Sequence, residues 1–443
     1  MAVNATGNHI LIVGGGYVGL YTALRLQRRL RRELQEGSVR ITIVDPQSYM
    51  TYQPFLPEAA AGNLSPRHVV APLRRVLPKA RILNGKIIKI DHDARKATFE
   101  PVEGEPRDLS YDLIVMAAGS VSRTLPIPGL TDIGIGFKSI GEAIGLRNRV
   151  LHQMDLAEST EDPELRRRAL TFVVVGAGFA GVEALAELED MAKDSTRYYT
   201  KIKPEDIRWV LVEATNRVLP EVGPEMGKWT LDQLRERGID VRLDTRLESC
   251  VNGRVMLSDG DSFDADTLVW TAGVKPSTIV GDGGLPLDER GRIKTTTRLT
   301  VAGTTGAYAA GDAAGVPDVT HPGQYCAPNA QHAVRQAKVL ADNIVRELRG
   351  QDLVEYHHKY VGSVAGLGLY QGVANVYGVK LRGFPAWFMH RTYHLSRVPT
   401  LNRKVRVVVD WTLALFFRRE TISLGEIHRP RESFRDAVAG NNR

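Results

Sequence analysis

The sequence predicts an α/β protein built from two copies of one strand–helix–strand motif, and three observations support this fold class. The stretches LIVGGGYVGL (residues 11–20) and VVVGAGFAGV (residues 173–182) both run from branched apolar residues into a G-x-G-x-x-G turn. Strand and helix patterns alternate after each turn, as in parallel sheets with crossover helices. Each motif then ends in an acidic residue, Asp45 in the first copy and Glu213 in the second.

The two copies have the same predicted order of elements. The first is predicted as a strand over residues 9–13, a helix over 19–34 and a strand over 40–44, and the second as a strand over 170–175, a helix over 181–193 and a strand over 207–212. The polar segment AESTEDPELRRRA between them is predicted as an exposed connector or helix end.

The glycines have distinct roles in such a turn. The first permits the tight bend, the second lets the backbone approach a pyrophosphate, and the third lets the helix pack on the strand; these are Gly14, Gly16 and Gly19 in the first copy and Gly176, Gly178 and Gly181 in the second. The helix N-terminus offers N–H groups to phosphate, and the acid accepts hydrogen bonds from ribose. A glycine-rich turn without a ligand is the alternative for one such motif, but two complete copies favour two bound dinucleotides.

Length, hydrophobic content and cysteine count narrow the possible class of protein further. The 443 residues, 43% of them hydrophobic, suffice for two or three domains. The two cysteines, Cys250 and Cys326, give no disulfide framework and no metal-ligand spacing, so we expect no metal. The N-terminus is expected to form the first strand rather than a signal peptide, and no stretch has the roughly 18 to 20 apolar residues of a membrane span.

Two dinucleotides in one chain suggest a flavoprotein in which FAD meets a nicotinamide. The stretches YDLIVMAAGS (residues 111–120) and DTLVWTAGV (residues 266–274) both look like strands that end in small-residue turns. GAYAAGDAAG (residues 306–315) places Asp312 after a similar strand, where its carboxylate can accept a hydrogen bond from a ribityl hydroxyl. An ordinary turn aspartate is the alternative interpretation.

At this point the chain resembles a known family, the type II NADH:quinone oxidoreductases. The motifs that carry the resemblance are LIVGGGYVGL, DPELRRRALTFVVVGAGFAGVEALAEL, VLVEATNRVLP, AAGDAA, APNAQHAVRQA and AWFMHRTYHL. The resemblance implies that FAD is held by Gly14, Gly16, Gly19, Asp45 and Asp312, and that NADH is held by Gly176, Gly178, Gly181 and Glu213. It also implies that Glu183 lies beside the flavin and that Ala330 and Gln331 border the quinone site. The segment DPQSYMTYQPFLPEAA departs from the family pattern, so no contacts are carried over for residues 49–57.

The family would divide the chain into a discontinuous FAD-binding domain (1–137 and 273–372), an NADH-binding domain (138–272) and a C-terminal region (373–443). The implied reaction passes a hydride from NADH to flavin and two electrons on to a membrane quinone, without ion pumping. The implied location is peripheral, on the cytoplasmic face of the cell membrane.

Glu183 and Gln331 are the two predicted catalytic residues, and the residues themselves support both. Glu183 follows Gly181 closely and is predicted in the first turn of its helix, where a carboxylate can position a nicotinamide or pass a proton to reduced quinone. Pro328 is predicted as the first helical residue, which puts Gln331 in the first turn. A glutamate that only stabilises the helix dipole, and an exposed polar face around Gln331, are the alternatives.

Rival functions differ in what they require. A disulfide reductase needs a redox cysteine pair just after the first motif, and residues 45–65 contain no cysteine. A sulfide:quinone oxidoreductase also needs cysteines near the flavin, and Cys326 alone is too few, so both functions are disfavoured. A soluble NADH-dependent reductase of a redox protein and a non-enzymatic FAD/NAD redox sensor share the nucleotide motifs, so both remain open at this point.

The formal net charge of +7 collects in the C-terminal region. Residues 380–419 contain nine Lys/Arg and one acid, Asp410, interleaved with Phe384, Trp387, Phe388, Tyr393, Leu395, Trp411, Leu413, Leu415, Phe416 and Phe417. Basic residues mixed with large apolar ones favour an amphipathic helix on an anionic membrane surface over a nucleic-acid partner. Packing of these aromatics onto the protein or in a homodimer is the alternative, and the cluster VRVVVD at residues 405–410 is also compatible with a strand.

Overall fold

A computed structural model describes residues 7–358, 361–423 and Arg435. The chain forms two compact units. The first unit comprises Met1–Thr51, Val70–Arg123 and Val274–Tyr360, and the second unit comprises Tyr52–Val69, Thr124–Gly273 and Val361–Arg443.

The strands, in chain order, are β1 (Asn8–Val13), β2 (Val39–Asp45), β3 (Tyr49–Thr51), β4 (Val70–Pro72), β5 (Arg81–Asp91), β6 (Lys96–Pro101), β7 (Arg107–Ser110), β8 (Leu113–Met116), β9 (Ser120–Ser122), β10 (Gly134–Gly136), β11 (Thr171–Val175), β12 (Arg208–Val212), β13 (Asp240–Arg242), β14 (Leu247–Ser249), β15 (Arg254–Leu257), β16 (Ser262–Asp264), β17 (Thr267–Trp270), β18 (Val274–Pro276), β19 (Ile293–Lys294), β20 (Ala307–Ala309), β21 (Ala314–Gly315), β22 (Gly362–Gly366), β23 (Gly372–Val376) and β24 (Val379–Arg382). The α-helices are α1 (Tyr17–Arg29), α2 (Arg31–Glu36), α3 (Leu56–Ala60), α4 (Leu73–Val76), α5 (Leu130–Ile133), α6 (Ile140–Ser159), α7 (Pro163–Ala169), α8 (Phe179–Ser195), α9 (Pro224–Glu236), α10 (Thr278–Gly281), α11 (Ala330–Leu348), α12 (Phe384–Arg397) and α13 (Leu401–Phe416).

The first unit is built on a sheet with the strand order β20-β8-β1-β2-β5-β6-β7. The first five strands of this order are parallel, and β5, β6 and β7 pair antiparallel. The predicted strands of the first motif are confirmed as β1 and β2, which pair in register with Ile12 opposite Ile43. The single helix predicted over residues 19–34 is wrong in detail, because α1 begins at Tyr17 and the chain leaves helical geometry at Leu30 before α2.

Helix α1 packs against α11 within the first unit. Small and aliphatic buried residues of the two helices, Ala23 and Leu26 on one and Ala337 and Ala341 on the other, allow this close approach. At the end of the contact Arg25 donates hydrogen bonds of 2.8 and 2.6 Å to the two carboxylate oxygens of Asp342. Helix α11 is therefore held firmly on the helix that follows the first glycine-rich turn.

The second unit contains a five-stranded parallel sheet with the order β10-β17-β11-β12-β13. Its central strand β11 is buried along its whole length, and its alternate side chains enter two different cores. Phe172 and Val174 pack with α6 and α8 on one face, whereas Val173 and Val175 pack toward β14–β16 on the other. The predicted strands of the second motif are confirmed as β11 and β12, and the predicted helix is confirmed as α8 with a start two residues earlier. AESTEDPELRRRA contains the end of α6 and the short helix α7, as expected.

The C-terminal part of the second unit consists of an antiparallel sheet, β22-β23-β24, followed by α12 and α13. The strand expected as an alternative over residues 405–410 is wrong, because these residues lie inside α13, whose N-cap Thr400 accepts a hydrogen bond from the N–H of Arg403. Nowhere in residues 7–358 or 361–423 is a helix both long and apolar enough to span a bilayer.

Candidate functional site

The first glycine-rich turn, between β1 and α1, has the backbone geometry that its sequence predicts. Gly14 has φ +105°, and a Cβ there would lie 2.4 Å from the carbonyl oxygen of Ala117. A Cβ on Gly19 would lie 1.8 Å from the carbonyl oxygen of Gly14. Only glycine therefore fits the bend and the helix–strand contact at these two positions.

The second turn repeats this geometry between β11 and α8. Gly176 has φ +107°, and its Cβ would lie 2.8 Å from Oγ1 of Thr271. A Cβ on Gly181 would lie 1.9 Å from the carbonyl oxygen of Gly176. The duplicated sequence motif thus produces a duplicated local structure.

Gly16 and Gly178, the middle glycines, differ from the others because a Cβ at either position would meet no protein atom within 4 Å. Each is the N-cap of the helix that follows, no side chain among the described residues caps either helix, and neither first turn contains an acid. Open space in front of an uncapped helix N-terminus fits a pyrophosphate, since backbone N–H groups and the helix dipole both favour an anion there.

The two predicted acids make matching contacts at the ends of β2 and β12. Asp45 Oδ2 accepts the N–H of Gly15 at 2.6 Å, and its Oδ1 accepts the N–H of Gln47 at 2.6 Å. Burial raises the pKa of Asp45, and these two hydrogen bonds oppose the rise. Glu213 Oε2 accepts the N–H of Ala177 at 2.7 Å. Each carboxylate therefore lies at the mouth of its own glycine-rich turn, where the ribose of a dinucleotide would lie.

In the first unit, Asp312 lies in a short helical turn after β20 and accepts a 2.6 Å hydrogen bond from Ser120 Oγ. The neighbouring N–H of Gly311, a residue with φ +70°, donates to Oε1 of Gln336 at 2.8 Å. Gln336 extends from α11, so this helix supports the loop that carries Asp312. The predicted position after a strand is confirmed for Asp312, and its contact with FAD stays a prediction.

Helix α11 begins at Ala330, with Asn329 as the N-cap that accepts the N–H of His332 at 2.9 Å. Pro328 is therefore not the first helical residue as predicted, because the asparagine side chain takes over the capping role. Gln331 still lies in the first turn. Arg335, one turn further on, donates to the Gln331 backbone carbonyl at 3.1 Å and to its side-chain oxygen at 3.3 Å.

Glu183 lies in the second unit on α8 and is buried, with 8% of its surface exposed. The expectation of a first-turn position is wrong, since α8 begins at Phe179 and Glu183 is its fifth residue. The carboxylate Oε1 accepts the N–H of Gly366 at 2.8 Å. His390 Nε2 lies 3.1 Å from the same oxygen, outside the directions in which a ring N–H forms a hydrogen bond.

Glu183 lines a small pocket of the second unit that contains two further carboxylates. The pocket is lined by Pro54, Pro57, Glu58, Glu183, Glu187, Gly366, Trp387 and His390. Glu58 is charge-compensated, because it accepts hydrogen bonds from Arg391 at 2.9 Å and from the Trp411 indole at 2.7 Å. Glu187 accepts a hydrogen bond from the Asn63 amide at 2.9 Å. The pocket therefore brings three buried carboxyl groups from α3 and α8 together.

Two histidines of α12 extend this cluster. The His390 and His394 rings are 4.6 Å apart, and His394 Nδ1 lies 3.1 Å from the Tyr52 hydroxyl. Burial, together with the nearby His390, holds the pKa of His394 well below its usual range, so the ring is neutral at physiological pH. The sequence analysis missed this cluster, although the four-residue spacings of Glu183 with Glu187 and of His390 with His394 put each pair on one helix face.

The large apolar side chains of α12 and α13 include an inward-packed pair and an exposed group. Trp387 and Trp411 pack inward, with the Arg391 guanidinium carbon 4.2 and 4.9 Å from their ring centres. Asp410 is also held inward, by His68 Nδ1 at 2.6 Å and the N–H of Ser65 at 3.0 Å. The exposed group comprises Phe384, Phe388, Leu401, Val405, Val408, Val409, Leu413, Leu415, Phe416 and Phe417. The alternative, packing of aromatics onto the protein, thus holds for the two tryptophans, while a row of large apolar side chains on α12 and α13 faces outward.

Each unit has parallel strands with a glycine-rich turn, an uncapped helix and an acid, which is the arrangement of an α/β dinucleotide-binding protein, and comparisons with known proteins agree. The sequence profile of the family described as pyridine nucleotide-disulphide oxidoreductase matches residues 8–337. A solved structure, NDH2 from Plasmodium falciparum in complex with NADH, superposes with a TM-score of 0.86 at 18% identity and covers 94% of this chain and 99% of that one.

Two curated relatives narrow the family. Type II NADH:quinone oxidoreductase Ndh of Mycobacterium tuberculosis is 28% identical over 427 residues, which cover 93% of this chain and 89% of the relative. Type II NADH:quinone oxidoreductase of Staphylococcus aureus is 31% identical over 387 residues, which cover 86% of this chain and 93% of the relative. The chain therefore belongs to the pyridine nucleotide-disulphide oxidoreductase family and, within it, to the type II NADH:quinone oxidoreductases.

The disulfide chemistry in the family name has no counterpart in the cysteines of this chain. Cys250 and Cys326 are both buried free thiols. Burial raises the pKa of Cys326 to about 11, so this thiol is protonated at physiological pH and is a poor nucleophile. Neither cysteine therefore supports the chemistry of a disulfide reductase, the alternative that the sequence analysis disfavours.

Proposed function

We propose that the chain is an FAD-dependent enzyme that oxidises NADH and reduces a membrane quinone to quinol without pumping ions. The observation that carries the proposal is the duplicated glycine-rich turn with its acid, combined with membership in the type II NADH:quinone oxidoreductases. The curated relatives support quinone as the acceptor over a soluble redox protein, and they support an enzyme over a redox sensor.

In this proposal the first unit holds FAD and the 124–273 part of the second unit holds NADH. Gly14, Gly16, Gly19, Asp45 and Asp312 would contact FAD, and Gly176, Gly178, Gly181 and Glu213 would contact NADH. Bound FAD supplies the acceptance of a hydride and the transfer of two electrons to quinone. The chain itself binds the pyrophosphates, fixes the riboses and places proton donors.

Two groups would act on the quinone side. The Gln331 amide, whose oxygen is held by Arg335, can present its NH2 to a quinone carbonyl. Glu183, held by Gly366 and next to His390, can pass a proton toward the reduced quinone. Both roles rest on the resemblance to the family and on these contacts.

The exposed apolar row on α12 and α13 would lie on an anionic membrane surface at the cytoplasmic face of the membrane. The row alternates with basic residues, and Asp410, the one acid between residues 380 and 419, is turned inward toward His68. Cations next to exposed Phe and Leu suit a helix in the headgroup region, which would bring the enzyme to its lipid-soluble acceptor. A homodimer that covers the same row is the competing outcome, and sedimentation at rising protein concentration would reveal it.

A steady-state assay tests the proposed function. Purified protein with bound FAD should oxidise NADH at a rate that depends on the concentration of a water-soluble quinone, with one quinol formed per NADH consumed. Oxidation that proceeds equally fast without quinone, or that requires an added redox protein, would contradict it.

A further inference from the structure

The second unit contains a buried carboxyl that the proposed function does not yet use. Glu187 lies one helical turn after Glu183 on α8, so the two side chains project from the same face of the helix and both line the carboxylate pocket. Glu187 is 5% exposed, and its carboxyl accepts a hydrogen bond from the neutral amide of Asn63.

Glu58 and Glu187 share the pocket but have opposite electrostatic environments. Glu58 has the Arg391 guanidinium and the Trp411 indole N–H as partners. Glu187 has a neutral amide instead, and the negative charge of Glu58 disfavours a second charge beside it. Burial, a neutral partner and a neighbouring carboxylate all favour the protonated form of Glu187.

The other charged groups around Glu187 do not reverse this assignment. They are Asp190 on α8, Arg391 and His390 on α12, Glu183 on α8, and Arg419 after α13. Arg391 is already paired with Glu58, and Asp190 is paired with Arg237. Burial and Glu58 together raise the pKa of Glu187 to about 7.

We propose that Glu187 is the proton reservoir of the quinone reaction and acts through Glu183. This inference rests on the proposed function. The balanced reaction is NADH + H⁺ + quinone → NAD⁺ + quinol: two electrons and one hydrogen nucleus leave NADH as a hydride, and one further proton must come from the medium. The Glu187 carboxyl releases that proton toward Glu183 when quinol forms, and water then protonates Glu187 again. Glu187 touches neither substrate, so it is a positioning residue for the proton and not a catalytic residue.

Two measurements on the FAD-containing enzyme test the proposal. The variant is Glu187→Gln, because glutamine keeps a hydrogen-bonding partner for Asn63 but cannot titrate. Infrared difference spectra between pH 5 and 9, without any substrate, should show a carboxylic acid C=O band that disappears near pH 7 in the wild type and is missing in Glu187→Gln. Reoxidation of NADH-reduced enzyme by quinone should be at least about tenfold slower in the variant, since positioned proton donors contribute roughly 10²–10⁴ in rate. Glu187→Asp should restore part of both signals.

The matched control is Glu189→Gln, which removes a buried carboxylate of the same helix that is paired with Arg237. It should lower the melting temperature, yet keep the infrared band and the pH dependence of quinone reduction. Two results would overturn the proposed role of Glu187. One is an infrared band that persists in Glu187→Gln, and the other is a rate and pH profile of quinone reduction that do not change in that variant. Absence of quinone turnover in the wild type would instead overturn the proposed function, so the two failures are distinguishable.

Discussion

The backbone N–H of Ala177 donates a 2.7 Å hydrogen bond to Oε2 of Glu213. The other carboxylate oxygen, Oε1, accepts the N–H and the hydroxyl of Thr215, both at 2.9 Å. The carboxylate is thereby fixed at the end of β12, beside the turn over which a dinucleotide pyrophosphate would lie. A fixed negative charge there favours a free ribose 2′-hydroxyl and repels a 2′-phosphate.

Preference for NADH over NADPH is the first prediction. Wild-type enzyme should have a kcat/KM for NADH at least about a hundredfold above that for NADPH, since a close like-charge contact costs several kcal/mol. Glu213→Arg should lower the NADH value and raise the NADPH value. Glu205→Arg, at an exposed acid of the same unit, is the control and should change neither. Equal efficiencies of wild-type enzyme with the two donors would refute the assignment.

The middle glycine of the first turn gives a prediction that separates binding from folding. Gly16→Ala should lower FAD affinity at least about tenfold, because the new methyl occupies the open space in front of α1. The free energy of unfolding of FAD-free protein should stay within about 0.5 kcal/mol of the wild type. Gly14→Ala should also destabilise the FAD-free protein, because Gly14 has φ +105°. Gly145→Ala is the control, because a Cβ on this glycine of α6 also meets no protein atom within 4 Å. If Gly16→Ala binds FAD as tightly as the wild type, Gly16 does not belong to the site.

Arg335 should matter for quinone although it is expected to touch no quinone itself. Its hydrogen bond to the Gln331 side-chain oxygen fixes which end of the amide points away from the helix. Arg335→Met should raise the KM for quinone about fivefold, the value of one hydrogen bond of roughly 1 kcal/mol, with little change in the KM for NADH. Lys338→Met on the exposed side of α11 serves as the reference. If Arg335→Met has the same KM for quinone as the wild type, the hydrogen bond from Arg335 is not needed to position Gln331.

Membrane association is tested better by point variants than by truncation. Removal of residues from Gly383 onward would also remove Arg391 and Trp411 and leave the buried Glu58 carboxyl without these two hydrogen-bond donors. Leu413→Glu with Phe416→Glu should abolish co-sedimentation with anionic liposomes at low salt and leave the melting temperature nearly unchanged, since both side chains are exposed. Val102→Glu, at an exposed apolar residue of the first unit, should retain binding. Binding that survives the double variant would place the contact elsewhere.

The raised pKa of Glu187 also predicts how stability depends on pH. Folded protein binds the Glu187 proton more tightly than unfolded protein, whose glutamates titrate near 4.5. The associated stabilisation is complete below pH 4.5 and is lost as the pH rises toward about 7, with a size on the order of 1 to 3 kcal/mol. Denaturant unfolding should therefore show that the free energy of unfolding falls more between pH 5 and pH 8 in the wild type than in Glu187→Gln. An equal loss in both would show that Glu187 titrates normally.

The nucleotide-binding turns were predictable from the sequence because their chemistry is local. Gly14 and Gly176 are required by their own positive φ, and Gly19 and Gly181 by contact with the carbonyl oxygen of the first glycine of the same turn. Such local requirements leave a short, recognisable motif. The errors concern helix boundaries: α11 begins at Ala330, capped by Asn329, rather than at Pro328, and the first helix is interrupted at Leu30. Capping is a competition between neighbouring residues that a motif alone does not resolve.

The carboxylate pocket was not predictable because its members come from distant parts of the sequence. Glu58 and Asn63 come from the α3 region, Glu183 and Glu187 from α8, and His390 from α12. Each is an ordinary polar residue in its own stretch. Only tertiary packing shows that Glu58 has compensating partners whereas Glu187 has a neutral one.

Anaerobic titration of the purified protein, followed through its visible absorption, tests the central claim most directly. The protein should show the bands of oxidised FAD, NADH should bleach them with a stoichiometry of one per bound flavin, and a water-soluble quinone should restore them fully. Bands that NADH leaves unchanged, or reduced protein that quinone fails to reoxidise, would contradict the assignment of this chain as an NADH:quinone oxidoreductase.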